Sequence, residues 1–154
     1  LEISPAETGT LPALALELVR APGIWINLCR LDHCALRIMN SGKVRITNSL
    51  LRPGSSPALT ARSSASLTLR NCVIRGALAT PLILLAQSPH CELTDLYVHR
   101  NGPEPVAGVL LELRDANSSA VLSGSSLLRN RYARLSSRPD HVRTRDNYLK
   151  RNAF

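Results

Sequence analysis

The sequence predicts an all-β chain that folds as a right-handed parallel β-helix, a solenoid of about six coils. Short segments in which apolar and polar residues alternate recur along its 154 residues, and alternation with a period of two is typical of β-strands. The segments return about every 20 to 30 residues, as expected for stacked repeats. Hydrophobic residues make up 44% of the chain and aromatic residues only 3%, so the core must be aliphatic.

Each predicted unit starts with a five-residue segment whose first and third residues are apolar or small. In five of the six segments, Asn, Asp or Ser closes the segment; Leu28 closes the first. The segments are 24–28, 44–48, 67–71, 91–95, 121–125 and 142–146. Asn and Asp tolerate the left-handed backbone conformation and bond nearby backbone groups, so they suit a sharp turn. We therefore predict a ladder of turn residues formed by Asn48, Asn71, Asp95, Ser125 and Asp146.

A second strand follows in each unit, after a recurrent aliphatic residue three places beyond the closing position. These aliphatic residues are Leu31, Leu51, Ile74, Val98, Leu128 and Leu149. The second strands are predicted at 36–38, 59–61, 83–85, 111–113 and 133–135, with 16–18 preceding the first unit. If the coils stack as predicted, Ile46, Leu69 and Leu93 lie above one another in one dry column.

The predicted domain organisation is an N-terminal cap or entry segment over 1–13 and a single β-helix domain over 14–154. We expect the chain to be one segment of a longer surface or extracellular protein. No apolar run approaches the roughly 18 residues of a membrane span. The last coil has no covering helix in the sequence, which predicts a homo-oligomer or a continuing solenoid. Four cysteines form no Cys-x-x-Cys pair and are predicted to be free, with Cys91 in the core; they do not fix the compartment.

This organisation resembles the pectate-lyase-like β-helix superfamily over about residues 14 to 152. Such a resemblance implies the fold and allows a carbohydrate-active protein. The lyase motif Trp-Ile-Asp-His has its counterpart at Trp25-Ile26-Asn27, where Asn27 replaces the aspartate. The eleven acidic residues are scattered, with Glu112 and Asp115 as the nearest pair, and the polygalacturonase motifs are missing. We therefore predict no catalytic residue, no metal and no cofactor.

Basic residues recur one place after the aliphatic position, where side chains should point outward. The predicted column is Asp32, Arg52, Arg75, His99, Arg129 and Lys150. Residues 129–151 contain eight basic and two acidic side chains, so they contribute +6 of the net charge of +8. The predicted binding residues are Arg52, Arg75, His99, Arg129 and Lys150, together with Arg134, Arg143 and Arg145.

Such a basic column predicts an anionic polysaccharide or an acidic protein surface as partner. In the alternative interpretation, the arginine stems pack over the solenoid and their charged heads are solvated. Specific nucleic-acid binding is not expected, because no known module is present and no aromatic residues interleave with the basic ones. The loop 100–108 is a candidate for a specific contact, since it carries two prolines and two glycines within the longest repeat.

The sequence thus favours a non-catalytic structural or binding segment that docks an anionic polymer or an acidic partner. The alternative function is a carbohydrate-active β-helix, a lyase, glycoside hydrolase or phage tailspike, whose catalytic residues lie outside this segment.

Overall fold

A computed structural model describes residues 2–3 and 14–153, which form a parallel β-solenoid of about six coils. Three parallel sheets run along the solenoid. Sheet B contains Leu14–Val19, Cys34–Met39, Leu59–Arg62, Ile83–Ala86, Val109–Leu113 and Arg134–Ser136. Sheet C contains Gly23–Asn27, Lys43–Thr47, Ser66–Arg70, Cys91–Thr94, Ala120–Ser123 and Val142–Arg145. Sheet A contains Glu2–Ile3, Arg30–Asp32, Leu50–Arg52, Val73–Arg75, Tyr97–His99, Ser126–Leu128 and Tyr148–Lys150.

Each coil therefore contributes three strands, one more than the sequence predicts. The chain passes from sheet B to sheet C and then to sheet A before it enters the next coil. The recurrent aliphatic residue was predicted to follow a turn, and in five of the six coils it is the centre of a three-residue strand in sheet A. In the fifth coil the centre is Leu127, and the predicted Leu128 ends the strand. A 3₁₀ turn, Pro139–His141, precedes the last strand of sheet C.

The core is the dry aliphatic column that the sequence predicts. Ile46 pairs with Leu69, and Leu69 pairs with Leu93, and all three side chains are fully buried. Cys34, Cys72 and Cys91 are buried free thiols, whereas Cys29 is half-buried. The alternation of apolar and polar residues along each strand thus places the apolar side chains inside the solenoid and the polar ones on its three outer faces.

The corners of each coil carry residues in the left-handed backbone conformation. At the corner from sheet C to sheet A, which we call the amide corner, these residues are Leu28, Asn48, Asn71, Asp95, Gly124 and Asp146. At the corner from sheet A to sheet B they include His33, Gly76, Arg100, Arg129 and Arg151. The corner from sheet B to sheet C has Arg20, Asn40, Ser63 and Gln87.

The structure corrects the predicted alignment in two places. In the fifth coil, Cys91 pairs with Ala120 and not with Val121, so Gly124 takes the turn position predicted for Ser125. In the last coil, Arg134 pairs with Val109 and so does not stack on Glu112. Most of the predicted cap over 1–13 lies outside the described residues; Glu2–Ile3 pairs with Arg30–Asp32 in sheet A.

Candidate anion-binding corner

The predicted basic column lies on the outer face of sheet A, but its first rungs are neutralised. Asp32 pairs with Arg52 in register, and its buried carboxylate lies 3.4 Å from an Arg52 guanidinium nitrogen. Arg30 approaches the same carboxylate at 2.6 Å. Farther along, Arg75 pairs with His99. In the first coils, two guanidinium groups therefore share the one carboxylate of Asp32, and their charge is partly neutralised.

The column breaks at the fifth coil because of the one-residue shift in alignment. Leu128, and not Arg129, pairs with His99 on one side and with Lys150 on the other. Arg129 lies one place further on, at the corner between sheets A and B. The prediction that Arg129 belongs to the column of Arg75 and His99 is therefore wrong, since the chain turns between Leu128 and Arg129.

Three exposed arginines, Arg100, Arg129 and Arg151, form a stack at this position, which we call the arginine corner. Their backbones are all left-handed, with φ values of 54°, 54° and 53°. The stacking is fixed by the backbone: the Arg100 N–H donates to the Leu128 carbonyl at 3.1 Å, and the Arg129 N–H donates to the Lys150 carbonyl at 3.0 Å. Three guanidinium groups thus emerge from one corner on consecutive coils.

Behind each of these arginines lies an asparagine whose side chain turns inward. The amide nitrogen of Asn101 donates to the side-chain oxygen of Asn130 at 3.1 Å, and that of Asn130 donates to Asn152 at 3.0 Å. The same amide groups donate to the carbonyls of Ile74 and Val98 at 3.0 Å. Asn101 and Asn130 are each only 1% exposed. This buried ladder, which we call the inner asparagine ladder, holds the corner together without help from the arginine side chains.

The sequence carries a signal for this arrangement that the repeat alignment missed. The dipeptide Arg-Asn occurs four times in the sequence, and three of these, at 100–101, 129–130 and 151–152, fall once in each of the last three coils. The fourth, at 70–71, lies at the amide corner. The predicted repeat units were aligned on the residues of the amide corner, so the motif at the corner from sheet A to sheet B was not recognised.

Two concave regions flank the arginine corner. A pocket of about 520 Å³ is lined by Tyr97, His99, Arg100, Leu128, Arg129, Lys150 and Arg151. A second pocket, of about 490 Å³, shares the three arginines and adds residues that include Asn101 and Arg131. Arg131 forms an ion pair with Glu104 of the predicted contact loop. The positive charge is therefore most available on the side that faces sheet A.

His99 reports the electrostatic field in the first pocket. Burial lowers the pKa of its imidazole, and the neighbouring charges of Arg75 and Arg100 lower it further. Its ring lies against that of Tyr97, with centroids 4.7 Å apart and planes tilted by 41°. His99 is consequently a flat, neutral surface at pH 7 in a positive environment, and not the additional cation that the sequence suggests.

The other predicted binding residues lie on different faces. Arg134 is in sheet B, and Arg143 and Arg145 are in sheet C. The Arg145 guanidinium lies 3.1 Å from the Asp146 carboxylate. Sheet A, sheet B and sheet C look outward in different directions, so the structure does not bring these three arginines together with the arginine corner.

The predicted turn ladder is formed at two of its five positions. Asn71 donates its amide to Asn48 at 2.7 Å, and Asn48 donates to Asn27 at 2.8 Å. The carboxylate of Asp95 instead lies 3.5 Å from Arg70. Ser125 is buried beside the turn, and its hydroxyl donates to the Ser123 carbonyl at 2.9 Å.

The outer face of sheet C forms a separate open depression of about 780 Å³. Trp25 is 68% exposed there, and its indole N–H donates to the Thr47 hydroxyl at 2.9 Å. Arg45 and Arg70 are balanced by Glu92 and Asp95 in the same lining. This face has an aromatic group but no excess of positive charge.

Within residues 2–3 and 14–153, no three His, Cys, Asp or Glu side chains are grouped so that they could hold a metal ion. The same part of the chain has no helix long and apolar enough to cross a bilayer. Comparisons with protein-family models, with curated proteins and with solved structures find no match to this chain.

Proposed function

We propose that this chain is a non-catalytic binding solenoid that docks an anionic polymer on its arginine corner. The observation that carries the proposal is the stack of Arg100, Arg129 and Arg151, three exposed cations at equivalent positions of consecutive coils. Adjacent strands of a sheet lie about 4.8 Å apart, so the guanidinium groups can engage a chain of anions at successive rungs.

Charge repulsion in this arrangement supports a role in binding. The left-handed conformation does not distinguish these arginines, because residues at every corner adopt it, Arg20, Leu28 and Ser63 among them. Like charges on neighbouring rungs repel one another. The arginines that form ion pairs in the described part of the chain are others: Arg30, Arg37, Arg52, Arg70, Arg114, Arg131 and Arg145. A bound polyanion would relieve the repulsion.

The chemistry of the corner is that of charge recognition. Arginine guanidinium groups stay protonated at all physiological pH values and present forked N–H donors to carboxylate, sulfate or phosphate oxygens. Lys150 adds a fourth cation to the same pocket. An arginine-lined pocket binds and orients anions, whereas acid–base catalysis needs a group that titrates near the working pH.

The test is binding to heparin over a salt series, with the charge removed at the corner or elsewhere. The triple variant Arg100→Gln, Arg129→Gln, Arg151→Gln should elute from heparin at clearly lower salt than the unmodified protein. The control variant Arg20→Gln, Arg45→Gln, Arg62→Gln has the same net charge as the first triple variant. It should nevertheless elute close to the unmodified protein, because its substitutions lie on other coils.

Equal elution of the two triple variants would show that net charge alone drives binding, which contradicts the proposal. Release of the unmodified protein from heparin below physiological ionic strength would also contradict the proposal. Salt at physiological concentration screens scattered surface charges, so binding that survives it requires charges concentrated in one site.

A further inference from the structure

Aromatic residues stand beside the arginine corner, although they are far from it in the sequence. On the outer face of sheet A, Tyr97 pairs with Ser126, and Ser126 pairs with Tyr148. Tyr97 and Tyr148 are 42% and 54% exposed. The next outward column is His99, Leu128 and Lys150, and the arginine corner follows it. The last three coils thus present an aromatic edge parallel to a cationic edge.

We infer that the anionic polymer is a single-stranded nucleic acid, with its phosphates on Arg100, Arg129 and Arg151 and its bases on Tyr97 and Tyr148. The inference rests on the proposed function and gives the class of the ligand. It combines the two features that recognise single strands without regard to sequence: a positively charged track for the backbone and aromatic faces for the bases.

The spacing of the two edges suits a nucleotide. Tyr97 and Arg100 are three residues apart, which is at most about 10 Å of extended chain. Tyr97 and Tyr148 are two rungs apart, about 10 Å along the solenoid axis. A base can therefore lie on one tyrosine while its own phosphate lies at the corner, and a second base can lie on the other tyrosine.

The tyrosine in the first pocket is held in place before any ligand arrives. The ring of Tyr97 leans on the ring of His99 with centroids 4.7 Å apart, so it loses little freedom when a base stacks on it. His99, whose pKa is lowered by burial and also by Arg75 and Arg100, extends the flat surface. Leu128 lies in the same pocket and offers an apolar contact rather than a further charge.

A single strand fits these features better than a duplex or an acidic polysaccharide. In a duplex the base faces are already stacked on one another and are not available to tyrosine side chains. An acidic polysaccharide satisfies the arginines but offers puckered rings instead of planar ones. Two sequence arguments spoke against specific nucleic-acid binding: no known module is present, and no aromatic residues interleave with the basic ones. Coil stacking removes the second argument, and the contacts inferred here need no sequence-specific module.

The experiment compares a fluorescently labelled oligothymidylate with an abasic oligomer that carries the same number of phosphates. Fluorescence anisotropy should show the oligothymidylate binding about 5-fold or more tightly, as expected when at least one base stacks on an aromatic side chain. The variant Tyr97→Leu, Tyr148→Leu should lose this preference but keep its affinity for the abasic oligomer. The control Trp25→Leu, which removes the exposed aromatic of sheet C, should keep the preference.

Equal affinity for the two oligomers, with heparin binding intact at the arginine corner, would overturn the inference and leave the proposed function standing. The inference would also be overturned, in favour of an acidic polysaccharide, if heparin displaced the oligothymidylate when its concentration of negative charges was much lower than that of the oligothymidylate. If neither the oligomers nor heparin bind, both the inference and the proposed function fail. Thermal unfolding of each variant shows that the fold survives, and it should, because all three side chains are exposed.

Discussion

The amide corner and the arginine corner use the same left-handed backbone for different purposes. At the amide corner the left-handed residue itself forms the ladder, through the exposed amides of Asn48 and Asn71. At the arginine corner the ladder lies one residue later, in the buried amides of Asn101 and Asn130.

The amide corner also has buried polar residues one place later, such as Ser49 and Ser125, whose hydroxyl groups accept the N–H groups of Cys29 and Leu96. The two corners therefore differ in the outer ladder, which the arginine corner replaces with charged side chains at the left-handed position. The comparison teaches that stability and ligand recognition can be divided between neighbouring residues of one turn.

The largest effect is expected at the inner asparagine ladder. Asn130→Ala removes the partners of the Asn101 N–H and of the Val98 carbonyl, which are buried groups. Leaving buried polar groups without hydrogen bonds should lower the free energy of unfolding by about 3 kcal/mol, measured by chemical denaturation.

The matched control is Asn71→Gly at the amide corner, where the amide is exposed and glycine accepts the φ of 51°. Its unfolding free energy should stay close to that of the unmodified protein. Similar losses in both variants would show that the two ladders contribute equally, which would contradict the division of roles described above.

A smaller effect of opposite sign is expected at the arginines. Arg129→Asn replaces a residue that is strained at φ 54° with one that tolerates this conformation, so it should raise the free energy of unfolding by about 1 kcal/mol. The same variant should bind heparin more weakly. A gain in stability with a loss of binding is the usual trade-off at a functional site.

Leu28→Asn separates strain from charge, since Leu28 is left-handed at φ 54° and uncharged. If Arg129→Asn stabilises the protein more than Leu28→Asn does, the difference measures the repulsion between stacked arginines. If Arg129→Asn instead destabilises the protein, the arginine stem contributes to packing, and the corner is structural.

The smallest effect is a pH dependence that involves His99. Its pKa in the folded protein is lowered from 6.5 by burial and by Arg75 and Arg100. The unfolded chain therefore takes up the proton first, and stability is lost as the pH falls from about 6.5 through the lowered folded pKa. Thermal unfolding between neutral and acidic pH should show a steeper loss for the unmodified protein than for His99→Gln.

An NMR titration of the imidazole checks the cause of this shift. Arg100→Gln should raise the pKa of His99 toward its ordinary value, whereas Arg145→Gln, on sheet C, should leave it unchanged. A His99 pKa that does not respond to Arg100→Gln would mean that the arginine corner creates no strong field in the pocket.

The fold could be predicted because the solenoid repeats one local pattern. The aliphatic positions that contain Ile46, Leu69 and Leu93 recur with each coil, so an error at one coil does not change the fold class. The fifth coil shows where such prediction fails. Ala120-Val121-Leu122-Ser123 offers two alternating alignments, and the wrong one moves Arg129 from the corner to the strand. A shift of one residue exchanges inward and outward faces, so the candidate site was more sensitive to it than the fold.

The sequence alone determined that this chain is built from stacked aliphatic strands, that Asn or Asp recurs at one turn of the coil and that its positive charge lies near the C-terminal end. Only the tertiary structure decided which cations are available, because Asp32 pairs with Arg52 on the adjacent coil, while Arg100, Arg129 and Arg151 stack on three consecutive coils. Only the stacking of coils placed Tyr97 and Tyr148 beside those arginines. The physical reason is that residues on neighbouring coils of a solenoid lie about 20 to 30 residues apart in the chain. The backbone hydrogen bonds between coils fix the register, and the register decides which side chains share a face.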